Sequence, residues 1–415
     1  MKVDVLKGLS LDRKKVVEFT PRLATTLFKR EDGNINLDLE QKMLFVSDVY
    51  YPPRFQWFKP PEEGLSFKHI VLYLTLNCNM HCEYCFVNAP QNVDITEKMI
   101  ENYFELIAPY SEPEPTIIPF GGEPTLRTDL IKTTKELADS YFIRPKINLV
   151  TNGVFNQETR EKLCPLVDYV SIAYAGTEKL QMKWRPSKVP NNIKMTKKSI
   201  EFFSKNLPEA SDVKLVFTKD KFGKIDDIVN ELSKMKVKKV VLNNMLCVER
   251  GESHEAEALQ NKLFFDNYFD LVEKLESAGI SAIDRLFLSL SVDKFHLRCG
   301  AGYKRISMAV DGSLSACHVW SGKKTLKHYP YLKGMQIGQV TQDGGDLWVE
   351  KIREIADSYQ LYEECKTCPI YPVCGSCLLL WRKKGNKIFM DAKECKERKA
   401  FQEAVSLFLI NKYLR

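Results

Sequence analysis

The chain has 415 residues, of which 44% are hydrophobic, 11% aromatic and 28% charged. This is ordinary globular composition, and it excludes a disordered chain or a fibre. There are 61 basic and 54 acidic side chains, and the formal net charge of +7 is too small to indicate nucleic-acid binding by itself. No apolar run is long enough for a membrane helix, and the first residues lack the apolar stretch of a signal peptide. We therefore predict a cytoplasmic protein without a membrane or nucleic-acid partner.

Residues 1–66 are predicted to form a lead-in region that is separate from the rest of the chain. The pairs Pro52-Pro53 and Pro60-Pro61 mark extended or looping chain near its end. The pattern changes at residue 67, and a second region of regular alternation is predicted to extend to residue 290.

Between residues 67 and 290, short β-rich runs alternate with helical ones. Strands are predicted at residues 69–76, 115–120, 146–151, 168–173, 213–218 and 238–244, with a helix after each. At the start of the first helix, Asp94 and Glu97 are predicted to form a capping box. Six strand-then-helix units predict an α/β fold with a parallel sheet and right-handed crossovers. Active residues are then expected in the loops that follow the strands.

Cysteine is the informative part of the composition. In a reducing compartment, 12 cysteines indicate metal or redox chemistry rather than disulfides, and ten of these 12 fall into three groups. Residues 291–415 are rich in cysteines and turns, and a final helix is predicted at residues 400–414. Such a region cannot easily build an apolar core, so metal sites are expected to stabilise it.

The first cysteine group, C-x3-C-x2-C, follows the first predicted strand and consists of Cys78, Cys82 and Cys85. Three thiolates this close can hold three irons of a four-iron cluster and leave the fourth iron without a protein ligand. An open metal site is where a substrate or cofactor binds. A zinc site completed by His81 is the alternative. It fits poorly because His81 lies between two of the cysteines, whereas separate Cys and His pairs are the usual zinc spacing.

This loop, with Tyr84 before its last cysteine, resembles the signature of the radical S-adenosylmethionine (SAM) enzymes. The resemblance extends over residues 68–276 and implies a partial (β/α)6 TIM-type barrel. In that family the open iron of a [4Fe-4S] cluster binds the methionine moiety of SAM. Reductive cleavage of SAM then gives a 5'-deoxyadenosyl radical that abstracts hydrogen from the substrate. This chemistry requires a cofactor and a closed site.

Three further segments resemble places where this family contacts SAM. Gly121-Gly122-Glu123-Pro124 resembles the GGEP turn, in which glycines let the backbone approach the methionine amino group. Thr151-Asn152-Gly153 and Ser171 match contacts to the ribose and to the methionine carboxylate. The chain departs from its relatives after Ser171-Ile172, where they commonly have Asp-Gly and this chain has Ala173-Tyr174. The SAM-binding residues that the resemblance implies are Tyr84, Gly121, Gly122, Glu123, Pro124, Asn152 and Ser171.

The C-terminal cysteines resemble the SPASM extension of radical SAM enzymes, which houses two auxiliary [4Fe-4S] clusters. The resemblance assigns one cluster to Cys365, Cys368, Cys374 and Cys395, and the other to Cys299, Cys317 and Cys377. The second cluster is one ligand short, so we predict an open or non-cysteine fourth ligand. The alternative is a zinc ribbon on the C-x2-C-x5-C-x2-C group, which would leave three thiols without a role.

Two residues near Cys317 are candidates for the catalytic acid or base. His318 lies where sulfatase-maturing relatives carry an aspartate thought to accept a proton. A histidine can do this near neutral pH, and it can equally donate a hydrogen bond to the cluster. Asp311 is the second candidate, although Asp311-Gly312 is predicted first as a β-turn between residues 305–310 and 314–317.

The resemblance predicts an enzyme that modifies a residue of a ribosomally made peptide or protein, by a crosslink, a thioether or oxidation. Its expected partners are that peptide, with leader recognition left open, and a reductase, flavodoxin or ferredoxin that donates electrons. A radical dehydrogenase or mutase of a small metabolite is the enzymatic alternative. A zinc-stabilised nucleic-acid-binding protein is the alternative from another class, and it predicts a steep salt dependence of binding.

Overall fold

A computed structural model describes the chain at residues 6–9, 16–19, 64–87, 89–218, 220–244, 267–284, 301–321, 326–327, 330–357, 381–384 and 387–390. The chain divides into two compact units. One unit comprises Met1–Lys59, Leu286–Arg298 and Ser358–Arg415, and the other comprises Pro60–Arg285 and Cys299–Asp357. The predicted boundaries at residues 66 and 290 stay predictions.

The strands and helices are numbered in chain order. The strands are β1 (Leu6–Leu9), β2 (Val16–Phe19), β3 (Phe67–Thr75), β4 (Ser111–Gly121), β5 (Lys146–Thr151), β6 (Tyr169–Ala173), β7 (Ser211–Phe217), β8 (Lys239–Asn244), β9 (Ser281–Asp284), β10 (Arg305–Met308), β11 (Ser313–Ser315), β12 (Gln336–Thr341), β13 (Gly344–Leu347), β14 (Trp381–Lys384) and β15 (Lys387–Met390). The α-helices are α1 (Glu97–Ile107), α2 (Thr128–Tyr141), α3 (Gln157–Leu163), α4 (Glu178–Trp184), α5 (Asn192–Asn206), α6 (Ile225–Lys234), α7 (267–277) and α8 (Val349–Asp357). Within these described ranges, no helix is long and apolar enough to cross a membrane.

The second unit is built on one 11-stranded sheet with the order β13-β12-β11-β10-β3-β4-β5-β6-β7-β8-β9. Strands β3 to β9 pair in parallel and in chain order. The six predicted strands and the α/β class are thereby confirmed, and β9 adds a seventh parallel strand. In the first unit, the pairs β1-β2 and β14-β15 are antiparallel hairpins.

The central strand β3 is buried along most of its length. Its residues from Ile70 to Leu74 are all buried, as expected for a parallel strand that is covered on both faces. Helix α1 begins at Glu97 and is capped by Thr96, whose hydroxyl accepts a hydrogen bond from Met99 N at 3.3 Å. The predicted capping box is therefore wrong, because Asp94 lies two residues before the cap and bonds Thr75 and Arg127 instead.

The strands after residue 300 extend the sheet from β3, on the side away from β4. Strand β10 pairs in parallel with β3 and in antiparallel with β11, and Asn102 of α1 donates hydrogen bonds to the carbonyls of Thr341 and Gln342. The predicted turn at Asp311-Gly312 is present. Gly312 has φ +79°, and a Cβ there would lie 1.9 Å from Val340 O, so the turn requires glycine.

Candidate active site

The three cysteines of the first group lie in the loop that leaves the carboxyl end of β3. We call residues 76–85 the cysteine loop. Cys78, Cys82 and Cys85 are half-buried free thiols. Burial raises the pKa of Cys78 to about 12, and the neighbouring Glu123 carboxylate adds to the increase. Burial also raises the pKa of Cys82, although the Arg185 guanidinium opposes it. Cys78 and Cys82 therefore need added positive charge to be held as thiolates.

The glycine turn after β4 packs directly on the cysteine loop. Gly122 N donates to Thr75 O at 2.9 Å, and Glu123 N donates to Asn77 O at 2.8 Å. A Cβ on Gly121 would lie 2.1 Å from Thr75 O, and one on Gly122 would lie 2.3 Å from Asn77 O. The resemblance explained these glycines by access to the methionine moiety. The structure adds that no side chain fits between the two loops at either position.

The Glu123 side chain is the centre of a buried hydrogen-bond network, and it is only 1% exposed. Its carboxylate accepts hydrogen bonds from four donors: Thr125 N at 3.2 Å, Thr125 Oγ1 at 2.7 Å, Thr151 Oγ1 at 2.6 Å and Asn152 N at 2.7 Å. Burial raises the pKa of Glu123, and these hydrogen bonds oppose the increase. The network joins the turn after β4 to the turn after β5.

Asn152 extends this network to the cysteine loop. Its Nδ2 donates to Asn79 Oδ1 at 2.7 Å and lies 4.0 Å from Cys78 Sγ. Asn79 Nδ2 in turn donates to Val154 O at 2.8 Å. Because hydrogen bonds to a ligand sulfur tune an iron–sulfur centre, we predict that Asn152 acts on Cys78, and its contact with SAM stays a prediction.

The last residue of α4 and the three residues that follow it are hydrogen-bonded to the cysteine loop, and we call Trp184–Ser187 the clasp. Three hydrogen bonds join it to alternate residues of the loop: Glu83 N to Trp184 O at 3.0 Å, His81 N to Pro186 O at 2.8 Å, and Ser187 Oγ to Asn79 O. The ring of Trp184 stacks on Tyr84, with centroids 6.4 Å apart. The clasp thus fixes the backbone between the cysteines.

Arg185 of the clasp was not among the predicted site residues. It is 6% exposed, and its Nη1 donates to Tyr84 Oη at 2.9 Å. Burial alone would lower the pKa of Arg185, but Cys82 and Tyr84 outweigh it and raise the pKa. Within the described ranges Arg185 forms no ion pair with a carboxylate. A buried guanidinium of this kind is a binding group for an anion. In the sequence, Arg185 stands before a proline, which predicts only the end of a helix. Nothing in the neighbouring residues predicts that the Arg185 side chain is buried.

A second turn, at Cys317 and His318, lies near the other end of the cysteine loop. Tyr73 Oη of β3 donates to His318 O at 2.8 Å. The ring of His318 contacts Phe120 at 5.0 Å and Phe86 at 5.9 Å between centroids. Burial raises the pKa of Tyr73, and Cys317 and Cys85 add to the increase. Cys317 and His318 therefore lie at the same edge of the sheet as Cys85.

Replacing Tyr73 with phenylalanine is expected to lower the free energy of unfolding by about 1–2 kcal/mol, because His318 O loses its buried donor. Urea denaturation of the two proteins measures the difference. Tyr110→Phe, at a half-buried position, is the matched control and is expected to change stability by less than about 0.5 kcal/mol. Equal effects of the two substitutions would contradict the assignment of this hydrogen bond.

The remaining predicted site residues are placed as follows. Ser171 Oγ donates to Asp212 Oδ2 at 2.9 Å, so its contact with SAM stays a prediction. Pro124 opens a short 3-10 turn after Glu123. The Asp311 carboxylate accepts from Ser313 N and Ser313 Oγ within its turn, and its catalytic role also stays a prediction. Outside the described residues lie Cys299, Cys365, Cys368, Cys374, Cys377 and Cys395.

The donor set of the cysteine loop fits an iron–sulfur cluster. The three thiols are half-buried, and the Arg185 guanidinium opposes the increase in the pKa of Cys82 without cancelling it, so a bound group must supply further positive charge. His81 is exposed. In the part of the chain that the structure describes, no three His, Cys, Asp or Glu side chains are arranged to hold a single metal ion.

The family model described as "Radical SAM superfamily" matches residues 72–246 of the chain. Among curated proteins, the chain is 34% identical to 7,8-dihydro-6-hydroxymethylpterin dimethyltransferase of Methanocaldococcus jannaschii over 84 residues, which are 20% of this chain and 16% of that protein. It is 22% identical to PqqA peptide cyclase of Bradyrhizobium diazoefficiens over 322 residues, which are 72% of this chain and 78% of the cyclase. The chain thus spans only a small part of the first relative and most of the second.

Solved structures share the fold at low identity. Native anSMEcpe with bound AdoMet matches with a TM-score of 0.65 at 17% identity, over 83% of this chain and 99% of that one. Streptococcus suis SuiB bound to precursor peptide SuiA matches with a TM-score of 0.58 at 15% identity, over 94% of this chain and 98% of that one. At these identities the likeness shows the fold alone. The family match identifies residues 72–246 as a radical SAM domain, and the likeness in fold confirms that the parallel sheet is a partial (β/α)6 barrel.

Proposed function

We propose that Cys78, Cys82 and Cys85 bind one [4Fe-4S] cluster, and that the chain cleaves SAM to modify a residue of a ribosomally made peptide or protein. The observation that carries the proposal is the half-buried thiol trio between the Glu123 network and Arg185. When bound, the cluster and SAM supply a 5'-deoxyadenosyl radical that abstracts hydrogen from the substrate.

The residues around the three cysteines have different roles in binding the cluster and SAM. Arg185 offers a buried positive charge to the carboxylate of SAM, and Tyr84 orients this guanidinium. Glu123 and Asn152 fix the two turns on the opposite side of the cysteine loop. Because these groups are buried and hydrogen-bonded, they exclude water from the space where a radical would be quenched.

A peptide substrate is supported by the similar proteins. PqqA peptide cyclase aligns with 72% of this chain, SuiB has been solved with its precursor peptide SuiA, and anSMEcpe has been solved with AdoMet and the Cp18Cys peptide. We propose that the residue of this substrate is crosslinked, converted to a thioether or oxidised. His318 is the proposed proton acceptor, since it is half-buried beside the cysteine loop.

The same proposal includes a SPASM extension with two auxiliary [4Fe-4S] clusters. Cys317 is the cluster cysteine of this extension that the structure describes, and Tyr73 connects its turn to β3. A reductase, flavodoxin or ferredoxin is the proposed electron donor, and the reducing cytoplasm is the proposed location.

Anaerobic reconstitution followed by iron and sulfide counting tests the cofactor assignment. About twelve irons per chain are expected from three four-iron clusters. Cys317→Ser is expected to lower the count toward eight, because one auxiliary cluster loses a ligand. Zinc without iron or sulfide would contradict the proposal and restore the nucleic-acid-binding alternative.

Incubation of the reduced enzyme with SAM and the short peptide encoded beside its gene tests the substrate class. The expected result is 5'-deoxyadenosine together with a changed peptide mass. Release of 5'-deoxyadenosine without any change in peptide mass would favour the alternative, a dehydrogenase or mutase of a small metabolite. Mass spectrometry of the peptide and chromatography of the nucleoside distinguish these outcomes.

A further inference from the structure

Asp220 binds the first residue of the clasp, Trp184, through the indole. It lies in the turn after β7, and both carboxylate oxygens are 3.0 Å from Trp184 Nε1. The same carboxylate accepts from Lys183 Nζ at 2.7 Å and from Thr218 Oγ1 at 2.6 Å. The end of α4 is thus tied to the turn that follows the fifth barrel strand.

Trp184, which donates to Asp220, also contacts the cysteine loop. Trp184 O accepts from Glu83 N, and the Trp184 ring stacks on Tyr84. Arg185 follows directly and donates to Tyr84 Oη. A displacement of the Trp184 indole would therefore move both the backbone partner of the loop and the guanidinium beside Cys82.

The Asp220 carboxylate that accepts these hydrogen bonds is charged. Burial by itself would raise the pKa of Asp220, but hydrogen bonds from Lys183, Thr218 and Trp184 outweigh it and lower the pKa to about 2. Asp220 is consequently ionised across the neutral range, and its bond to the indole is charge-assisted. Such bonds are stronger than bonds between neutral groups.

We propose that Asp220 is a positioning residue of the cofactor site, which acts through Trp184 to keep the cysteine loop and Arg185 in their binding geometry. The proposal rests on the proposed function, since it assigns the purpose of that geometry to the cluster and SAM. Asp220 acts through the clasp and takes no part in the chemistry.

Amide hydrogen exchange of fragments covering residues 79–85 tests the first step, because His81 N and Glu83 N donate to the clasp. In Asp220→Ala, exchange of these fragments is expected to be about tenfold faster than in the wild type. The dissociation constant for SAM of the reconstituted enzyme is expected to rise by about tenfold. The electron paramagnetic resonance signal of the reduced cluster with SAM is expected to change shape.

Three matched variants separate positioning from general stability. Trp184→Phe keeps a ring on Tyr84 but removes the indole donor, so it should reproduce Asp220→Ala. Asp220→Asn keeps an acceptor for the indole and should restore most of the affinity for SAM. Glu178→Gln, at the other end of α4, removes an ion-pair partner of Lys197 that is 60% exposed and should stay within about twofold of the wild type.

The proposal is overturned if Asp220→Ala leaves both the exchange of residues 79–85 and the affinity for SAM unchanged, or if Glu178→Gln has an equal effect. Should Asp220→Ala not fold, Trp184→Phe and Asp220→Asn decide by the same measurements. A wild-type protein that shows no affinity for SAM would contradict the proposed function instead. Faster exchange in Asp220→Ala would then still show that Asp220 positions the cysteine loop through Trp184.

Discussion

Replacing Glu123 with alanine is expected to lower the free energy of unfolding by about 3–4 kcal/mol. The substitution leaves four buried donors of Thr125, Thr151 and Asn152 without their acceptor. The two hydroxyl groups can turn toward other acceptors, but the two backbone N–H groups cannot. The cost is therefore set mainly by the backbone groups. Urea denaturation of the cluster-free protein measures it.

Glu123→Gln is a sharper variant because it keeps the shape and removes one acceptor oxygen. The new amide group is a donor, and it must face either Asn152 N or the threonine donors. A loss of about 1–2 kcal/mol is expected from this conflict. Glu136→Gln, at a helix position that is 61% exposed, is the control and should change stability by less than about 0.5 kcal/mol. A Glu123→Ala protein as stable as this control would show that the network is not a structural centre.

The parallel strands were predictable because each is a short apolar run with a turn on either side. Strand β7 is a typical case, since it was expected at residues 213–218 and is observed at Ser211–Phe217. After residue 280, the segments of β10 and β11 were predicted only as the two sides of the turn at Asp311-Gly312, and the other strands were not predicted. Strand β9 has four residues and β11 has three, and β10 pairs with β3, which lies more than 200 residues earlier. Pairing over such a separation leaves no local pattern in the sequence.

The residues of the candidate site differ in the same way, because some could be identified from the local sequence and others could not. The spacing of Cys78, Cys82 and Cys85 is local, so the sequence alone indicated a metal centre. Arg185 and Asp220 could not be identified, because their significance comes from burial and from contacts with distant segments. Glu123 was identified by resemblance as a contact for SAM. Its role as the common acceptor of two turns follows only from the structure.

Replacing Lys221 with methionine is expected to raise the free energy of unfolding by about 2–3 kcal/mol at pH values near or below 7. Lys221 is completely buried. Burial lowers its pKa to about 7, the nearby Arg185 adds to the decrease, and Asp220 opposes it. Methionine occupies a similar volume without a charge. It gives up the hydrogen bond from Lys221 Nζ to Val216 O, which offsets part of the gain.

This gain is expected to shrink as the pH rises. The unfolded chain keeps an ordinary lysine pKa of 10.5, whereas the folded chain releases the proton near pH 7. Between these values the unfolded state binds more protons, so the wild type becomes more stable with increasing pH. Below about pH 7 both states are protonated and the cost of burying the charge is complete. Urea denaturation at a series of pH values from about 6.5 to about 9.5 measures the difference between variant and wild type.

Lys132→Met, at a position that is 65% exposed, is the control and should show no such trend. A Lys221→Met protein that is less stable than the wild type at every pH, or whose advantage grows with pH, would contradict the buried charge. The same substitution removes a cation near Arg185. Because two neighbouring buried cations attract an anion more strongly than one, the affinity for SAM is expected to fall by about threefold to tenfold. Stability and cofactor binding should thus change in opposite directions, as expected where a protein keeps an unfavourable buried charge for binding.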